Sequence, residues 1–345
     1  MHGGDIYRNK VRLDFSVNVN PLGIPESVRT AMKDAVRKCG CYPDIRHEEL
    51  RKALGKMTGA APKQILCGNG SSELFFAIVH ALMPEKTVIP VPSFSGYEKA
   101  ARISRSQIAA YLMKEENSFA LDGGILELLT EETDLLFLAN PNNPTGIRTE
   151  PGLLKSILER CREKGIIAVL DECFIEFAEG RECQELPRRI REFPNLIVVR
   201  AFTKIFAIPG VRLGYLVCGD QALLRRIGEH LPEWNVSVFA QAAGTAAAKE
   251  TEYVKRTAGF IAGERAYLAD GLRALGLKVY PSQANFLLIR TEHEIGDGML
   301  RRGILVRDCA DFKGLEKGYY RIAVRQRDDN EELLRSLKEV MEEKG

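Results

Sequence analysis

Lys204 lies in Ala201-Phe202-Thr203-Lys204-Ile205-Phe206-Ala207-Ile208-Pro209-Gly210-Val211-Arg212-Leu213-Gly214, an amine set among apolar neighbours with an arginine eight residues on. An amine in such surroundings loses solvation of its charged form, so its pKa falls and it becomes a nucleophile able to form a Schiff base. Arg212 offers a planar fork of donors suited to a phosphate or a carboxylate. Three further stretches carry polar groups at fixed places. Cys67-Gly68-Asn69-Gly70-Ser71-Ser72-Glu73 is a glycine-rich turn opening a helix, where backbone N–H groups and two hydroxyls suit a phosphate. In Asn140-Pro141-Asn142-Asn143-Pro144-Thr145-Gly146, two prolines and a glycine fix the backbone and present the Asn143 amide rigidly. Asp171-Glu172 follows an apolar strand, and a carboxylate there needs a partner because an unpaired buried charge is costly.

Each feature alone has an ordinary explanation. The glycine-rich turn reads as a capped helix start, the proline-rich segment as a structural turn, and Lys204 as a surface lysine with its stem buried. The partner of Asp171 is either a nearby arginine or a protonated ring nitrogen on a ligand. Together the four describe one pocket: a phosphate cradle, a rigid amide, a carboxylate for a ring nitrogen and an imine-forming lysine. Pyridoxal 5'-phosphate demands that set.

The elements that must position these residues are legible as an α/β alternation from about residue 60 to 235. Strands are expected at Thr87–Ile89, Gln107–Leu112, Leu135–Leu138, Ile166–Leu170, Leu196–Val199 and Leu213–Val217. Helices are expected near 72–83, 94–104, 150–164 and 220–228. Ligands of such sheets bind beyond the carboxyl ends of the strands, where all four polar stretches fall. After residue 237 the pattern changes to a long helical stretch reaching about 274, two short strands (Asn285–Ile289 and Tyr320–Val324) and a charged helix from 328. This predicts a smaller α+β unit made of 1–44 and 238–345 beside a larger unit of 45–237.

Composition removes several other functions. Lys plus Arg number 49 and Asp plus Glu 47, a balance of +2, which leaves no broad basic footprint for nucleic acid or an anionic membrane. No apolar run approaches the ~20 residues of a membrane span, and the opening Met1-His2-Gly3-Gly4-Asp5 lacks a secretion signal, so a cytoplasmic location is expected. The eight cysteines (39, 41, 67, 161, 173, 183, 218 and 309) show no metal-ligand spacing and read as reduced thiols, with no metal expected. Cys39 and Cys41 are the one close pair.

With those residues in place, the chain resembles the aspartate-aminotransferase superfamily of pyridoxal-phosphate enzymes over nearly its whole length, on the combination of NPNNPTG, DE at a strand end and TKxxxxxGxRLGY. The resemblance implies the fold: a mostly parallel seven-stranded sheet with helices on both faces, plus the smaller α+β domain. It implies that Lys204 holds the cofactor, Asp171 pairs with the ring nitrogen, Asn143 bonds the ring 3-oxygen and Phe94 covers the ring face. Gly70, Ser71, Ser72, Thr203 and Arg212 would hold the phosphate. Tyr42 resembles the tyrosine that reaches the phosphate in a neighbouring subunit, which implies a homodimer with shared sites.

Within the superfamily the threonine-phosphate decarboxylases of cobalamin biosynthesis and the histidinol-phosphate aminotransferases are most similar. The former is favoured by His2-Gly3-Gly4, by Asp14 to Gly23, by Phe174 in Asp171-Glu172-Cys173-Phe174, by Ala207-Ile208-Pro209-Gly210, by Ile304 to Cys309 and by Tyr320 to Arg325. The substrate implied is O-phospho-L-threonine or a related phosphoamino acid. Arg321 matches the family's carboxylate-gripping arginine and Arg325 the extra cation of the decarboxylase pattern, so the resemblance implies that the two, with His2 and Asn18 or Asn20 nearby, divide the substrate's carboxylate and phosphate between them; Arg325 and Arg327 facing solvent before Asp328 and Asp329 is the alternative. Three positions depart from the pattern. Phe174 lacks the hydroxyl that a tyrosine would offer the ring 3-oxygen, Ala201 removes a phosphate donor, and Asp5 stands where the decarboxylases have Asn. A regulatory or idle pyridoxal-phosphate-binding protein is the reading from a different class; such proteins carry a DNA-binding module ahead of this fold, and none is expected here because the family-like start lies at residue 2.

Overall fold

Runs of Val, Ile, Leu and Phe buried on both faces are what parallel strands covered by helices require. The computed structural model describes residues 3–180 and 186–343. In chain order the strands are β1 (Leu13–Asp14), β2 (Ile65–Gly68), β3 (Lys86–Val91), β4 (Gln107–Leu112), β5 (Leu135–Ala139), β6 (Ile167–Asp171), β7 (Leu196–Ala201), β8 (Gly214–Cys218), β9 (Lys278–Val279), β10 (Phe286–Arg290), β11 (Ile304–Leu305), β12 (Arg307–Asp308) and β13 (Tyr319–Ala323). Seven form the large sheet, in the order β2-β8-β7-β6-β5-β3-β4. Strands β3 to β7 pair in parallel, and β8 pairs antiparallel with both β7 and β2. All six strands expected here are present. Ile65–Gly68 is the seventh, an edge strand too short to stand out from the turn it enters.

Alternation along β6 divides the core. Ala168 and Leu170 pack into the layer shared with the C-terminal helices, whereas Val169 faces the layer with Phe75, Ile89 and Phe137. The four expected crossover helices span Ser71–Leu82, Ser95–Ile103, Pro151–Glu163 and Gln221–Gly228. The long stretch expected over 237–274 is instead two helices, Val238–Ala247 and Thr251–Ala274, with a turn between them.

A four-stranded antiparallel sheet, β12-β13-β10-β9, forms the second unit. The N-terminal segment joins it: β1 runs parallel to β11, and Phe15 N–H donates to Leu305 O at 2.8 Å while its carbonyl accepts from Ala323 N–H at 2.9 Å. Among the described residues no helix is long and apolar enough to cross a membrane, no acidic, His and Cys cluster could hold a metal, and the seven cysteines are free. His2 and Cys183 lie outside the described residues.

Candidate functional site

The carboxyl ends of β5, β6 and β7 open into a cavity of about 260 Å³, roofed by the N-terminal segment and by the four-stranded sheet. Lys204 enters it from a one-turn helix, Phe202–Ile205, directly after β7. Phe202 and Ile205 are buried and lock that turn, so Thr203 and Lys204 emerge on the cavity side. Burial first, then the nearby Arg321 charge and to a smaller extent Arg212, push the Lys204 amine down to about 8, with Cys173 and Asp14 opposing.

Asp171 and Glu172 show how one backbone step separates two fates. Glu172 is buried and meets Arg200, whose Nε and Nη2 lie 2.9 and 2.7 Å from Glu172 Oε2. Asp171 is also buried, though less completely, and lines the cavity, yet among the described residues it has no ion pair. Its Oδ2 accepts from the Tyr97 hydroxyl at 2.5 Å and its Oδ1 from the Cys173 N–H at 2.9 Å. Burial raises its pKa, while the Cys173 thiol, the Tyr97 phenol and the Cys173 N–H act against that rise. The nearby arginine raised as an ordinary partner thus belongs to Glu172, and the Asp171 charge is left for a cation within the cavity.

Asn143 is oriented by charge. Arg321 Nη1 lies 2.5 Å from Asn143 Oδ1, and a guanidinium cannot accept, so the amide must turn its Nδ2 donor away from Arg321. Arg321 Nη2 donates to Ser16 O at 2.8 Å, and its Nε is buried without a partner. Burial draws this guanidinium down to about 10, so it stays charged at neutral pH. Asn18 Oδ1, on the same cavity wall, is a second buried polar atom without a partner.

The end expected to hold a phosphate is built by close approach. Gly70 has φ +81°, and a Cβ there would sit 2.5 Å from Arg212 Nη2; a Cβ on Gly214 would sit 2.6 Å from the Ser71 nitrogen. These two glycines let the helix start at Ser71, the Arg212 guanidinium and the head of β8 converge. Phe94 stands at the mouth, edge-on to Tyr97 with ring centroids 5.6 Å apart, and Gly96 leaves room for its ring.

Of the residues expected from sequence, Ser71, Ser72, Phe94, Asn143, Asp171, Thr203, Lys204, Arg212, Asn18 and Arg321 line this one cavity, with Gly70 beneath Arg212. Three do not. Asn20 spends its amide on Ile205 O, Tyr253 Oη and Thr257 Oγ1 at 2.7–3.0 Å, bracing the lysine turn from behind instead of facing a substrate. Arg325 lies past the end of β13, paired through Nε with Asp329 Oδ2 at 2.8 Å, outside the cavity. Tyr42 is 79% exposed and stacks on Trp234, 4.6 Å between centroids, away from its own chain's cavity. Sequence reading missed Tyr97 and Arg307. Arg307 sits opposite Arg321 in the β12–β13 register and lines the cavity, with Nη2 2.8 and 3.0 Å from the Asp311 carboxylate. An alternation count from Arg321 cannot find it, because the pairing is across strands.

The donor set fits pyridoxal phosphate: an anion cradle at a helix start, an unpaired carboxylate for a ring cation, an amide donor and a buried lysine whose pKa is drawn down to about 8. Comparison with known proteins agrees. The profile of the family "Aminotransferase class I and II" matches residues 10–337. A threonine-phosphate decarboxylase of Salmonella typhimurium is 38% identical over 333 residues, covering 95% of this chain and 91% of that protein. Among solved structures, a histidinol-phosphate aminotransferase of Clostridium acetobutylicum superposes with a TM-score of 0.89 at 30% identity, covering 96% of this chain and 99% of that one. An L-threonine-O-3-phosphate decarboxylase of Porphyromonas gingivalis gives 0.85 at 25% identity, with 96% and 99% covered. The chain belongs to the class I and II aminotransferase family.

Proposed function

We propose that this protein is a pyridoxal-phosphate-dependent carbon–carbon lyase that decarboxylates O-phospho-L-threonine, or a related phosphoamino acid, to the aminoalkyl phosphate used in cobalamin biosynthesis. The observation that carries the reading is Arg321, whose buried Nε has no partner, opposite Arg307, which shares its charge with Asp311, on the wall of the cavity that Lys204 also lines: two guanidiniums for a substrate with two anionic groups. The 38% identity to a threonine-phosphate decarboxylase supports the same choice.

When bound, the coenzyme supplies an electron sink for the pair left on Cα as a bond to it breaks. Lys204 would hold it through the amine; Gly70, Ser71, Ser72, Thr203 and Arg212 would hold its phosphate. Asp171 would pair with the ring nitrogen and keep it charged, Asn143 Nδ2 would donate to the ring 3-oxygen, and Phe94 would cover the ring. Arg321, fixed by Asn143 and Ser16, and Arg307 divide the substrate's carboxylate and phosphate between them, with Asn18 beside them. Held in this way, the substrate would have its Cα orientation fixed by the chain, and the Lys204 amine, on the same cavity wall, would be the group able to deliver a proton to Cα. We assign residues 45–237 to the cofactor domain and 1–44 with 238–345 to the smaller one. We further infer a cytoplasmic homodimer, supported by the exposed Tyr42–Trp234 stack, with Tyr42 directed to the cofactor phosphate of a second copy.

A second reading, a histidinol-phosphate-type aminotransferase, is favoured by the higher structural similarity to an enzyme of that kind. The two separate in one assay. Decarboxylation releases carbon dioxide from O-phospho-L-threonine and leaves the coenzyme as the aldehyde, whereas transamination yields an oxo acid and pyridoxamine phosphate.

A further inference from the structure

Outside the cavity, one carboxylate gathers more donors than any substrate role would require. Glu115 follows β4, the edge strand of the seven-stranded sheet, and among the described residues its side-chain partners lie on the four-stranded sheet or, for Tyr280, directly after β9. Lys278 Nζ is 2.6 Å and Tyr280 Oη 2.5 Å from Glu115 Oε1, Arg290 Nη1 is 2.8 Å from Oε2, and the Tyr319 hydroxyl also bonds to it. Below this node Phe119 packs on Tyr280 and Tyr319, at 5.2 and 5.9 Å between ring centroids.

The strand register connects this node to the cavity. In antiparallel pairs, residues opposite each other share a face, as do residues two apart along a strand. Arg307, Arg321 and Leu288 form one row; Tyr319, Arg290 and Lys278 form the next, two residues along the same face. The first row holds the two cavity arginines and the second is the row that Glu115 grips.

We propose that Glu115 is a positioning residue for the substrate end of the cavity: it pins the face of the four-stranded sheet that bears Arg307 and Arg321 to the edge of the seven-stranded sheet that bears the cofactor residues. The proposal rests on the cavity's taking a phosphorylated amino acid. One carboxylate shared by four donors and backed by buried aromatics has a fixed geometry that an isolated exposed ion pair lacks. Misplacing a substrate-gripping group by a fraction of an ångström weakens binding without disturbing the cofactor.

The test uses the coenzyme-loaded enzyme and two variants, Glu115→Ala and Glu115→Gln. Glu115→Ala is expected to raise KM for O-phospho-L-threonine about tenfold with kcat within about twofold and an unchanged coenzyme absorbance. Glu115→Gln, which keeps an acceptor but not the charge, should fall between it and the unaltered enzyme. Amide hydrogen exchange should quicken in 286–290 and 319–323 and stay the same in 196–201. Unchanged exchange in the two small-sheet strands overturns the proposal, as does faster exchange with KM unmoved. A purely structural role would instead lower melting temperature and coenzyme retention together. If the alanine variant does not fold, the glutamine variant decides by the same readings. If the unaltered enzyme fails to turn over O-phospho-L-threonine, the functional reading fails by itself, and exchange still decides for or against Glu115.

Discussion

The two ends of the cavity are built by different rules. At the end proposed for the cofactor, Asn143, Asp171, Thr203 and Lys204 each sit within four residues of the carboxyl end of a parallel strand, so local sequence places them. At the end proposed for the substrate, Arg307 meets Arg321 only through antiparallel register, and Ser16 and Asn18 arrive on an N-terminal segment held by β11 and by Arg321 itself. Chemistry common to many enzymes is thus encoded in short motifs, while selectivity is encoded in contacts between distant parts of the chain.

Substitutions at the two ends should therefore fail in different ways. The largest effect is expected from Lys204→Ala, which should remove the coenzyme's visible lysine-bound absorbance and lower kcat by about a thousandfold or more; a variant keeping both spectrum and turnover would remove Lys204 from its role. Arg321→Ala comes next. It deletes a buried charge and frees the Asn143 amide, so KM for the phosphorylated substrate should rise about a hundredfold, read by steady-state kinetics, with the coenzyme still bound. A KM shift below about threefold would place the substrate anions elsewhere.

Tyr97→Phe keeps the ring stacked on Phe137 and removes only the donor to Asp171. A hydrogen bond to an ionised group is worth about 1.5–3 kcal/mol, so kcat should fall about tenfold with KM little changed. The sign for Asp171 follows: losing a donor to the carboxylate raises its pKa further, which shows as a shifted pH dependence of the bound coenzyme's absorbance. The smallest effect is expected from Arg325→Ala, which breaks the partly exposed pair with Asp329 and should leave KM within about twofold. A large KM increase there would return Arg325 to the substrate site and erase the contrast between the two ends.

The same contrast explains what could be read from sequence. Six of the seven large-sheet strands and the cofactor-end residues other than Tyr97 carry local signals: apolar runs, prolines, glycines and an amine among apolar neighbours. Ile65–Gly68 is too short to announce itself. Asn20 and Arg325 have the right residue types and the wrong facing: Asn20 turns behind the lysine turn, and Arg325 falls beyond the last residue of β13, where strand alternation stops applying. Tyr97 looks like an ordinary helix residue until β6 brings Asp171 to its hydroxyl, and Arg307 acquires meaning only once β12 lies beside β13.

The most direct test of the account is borohydride reduction of the pyridoxal-phosphate-loaded protein followed by peptide mapping. One modified peptide containing Lys204 is the predicted result, with attachment to the coenzyme-free chain speeding up as pH rises and levelling off above about 8, where burial and the neighbouring arginines leave the amine mostly neutral. Label on other lysines alone, or no label in a protein that stays colourless with added coenzyme, would contradict it.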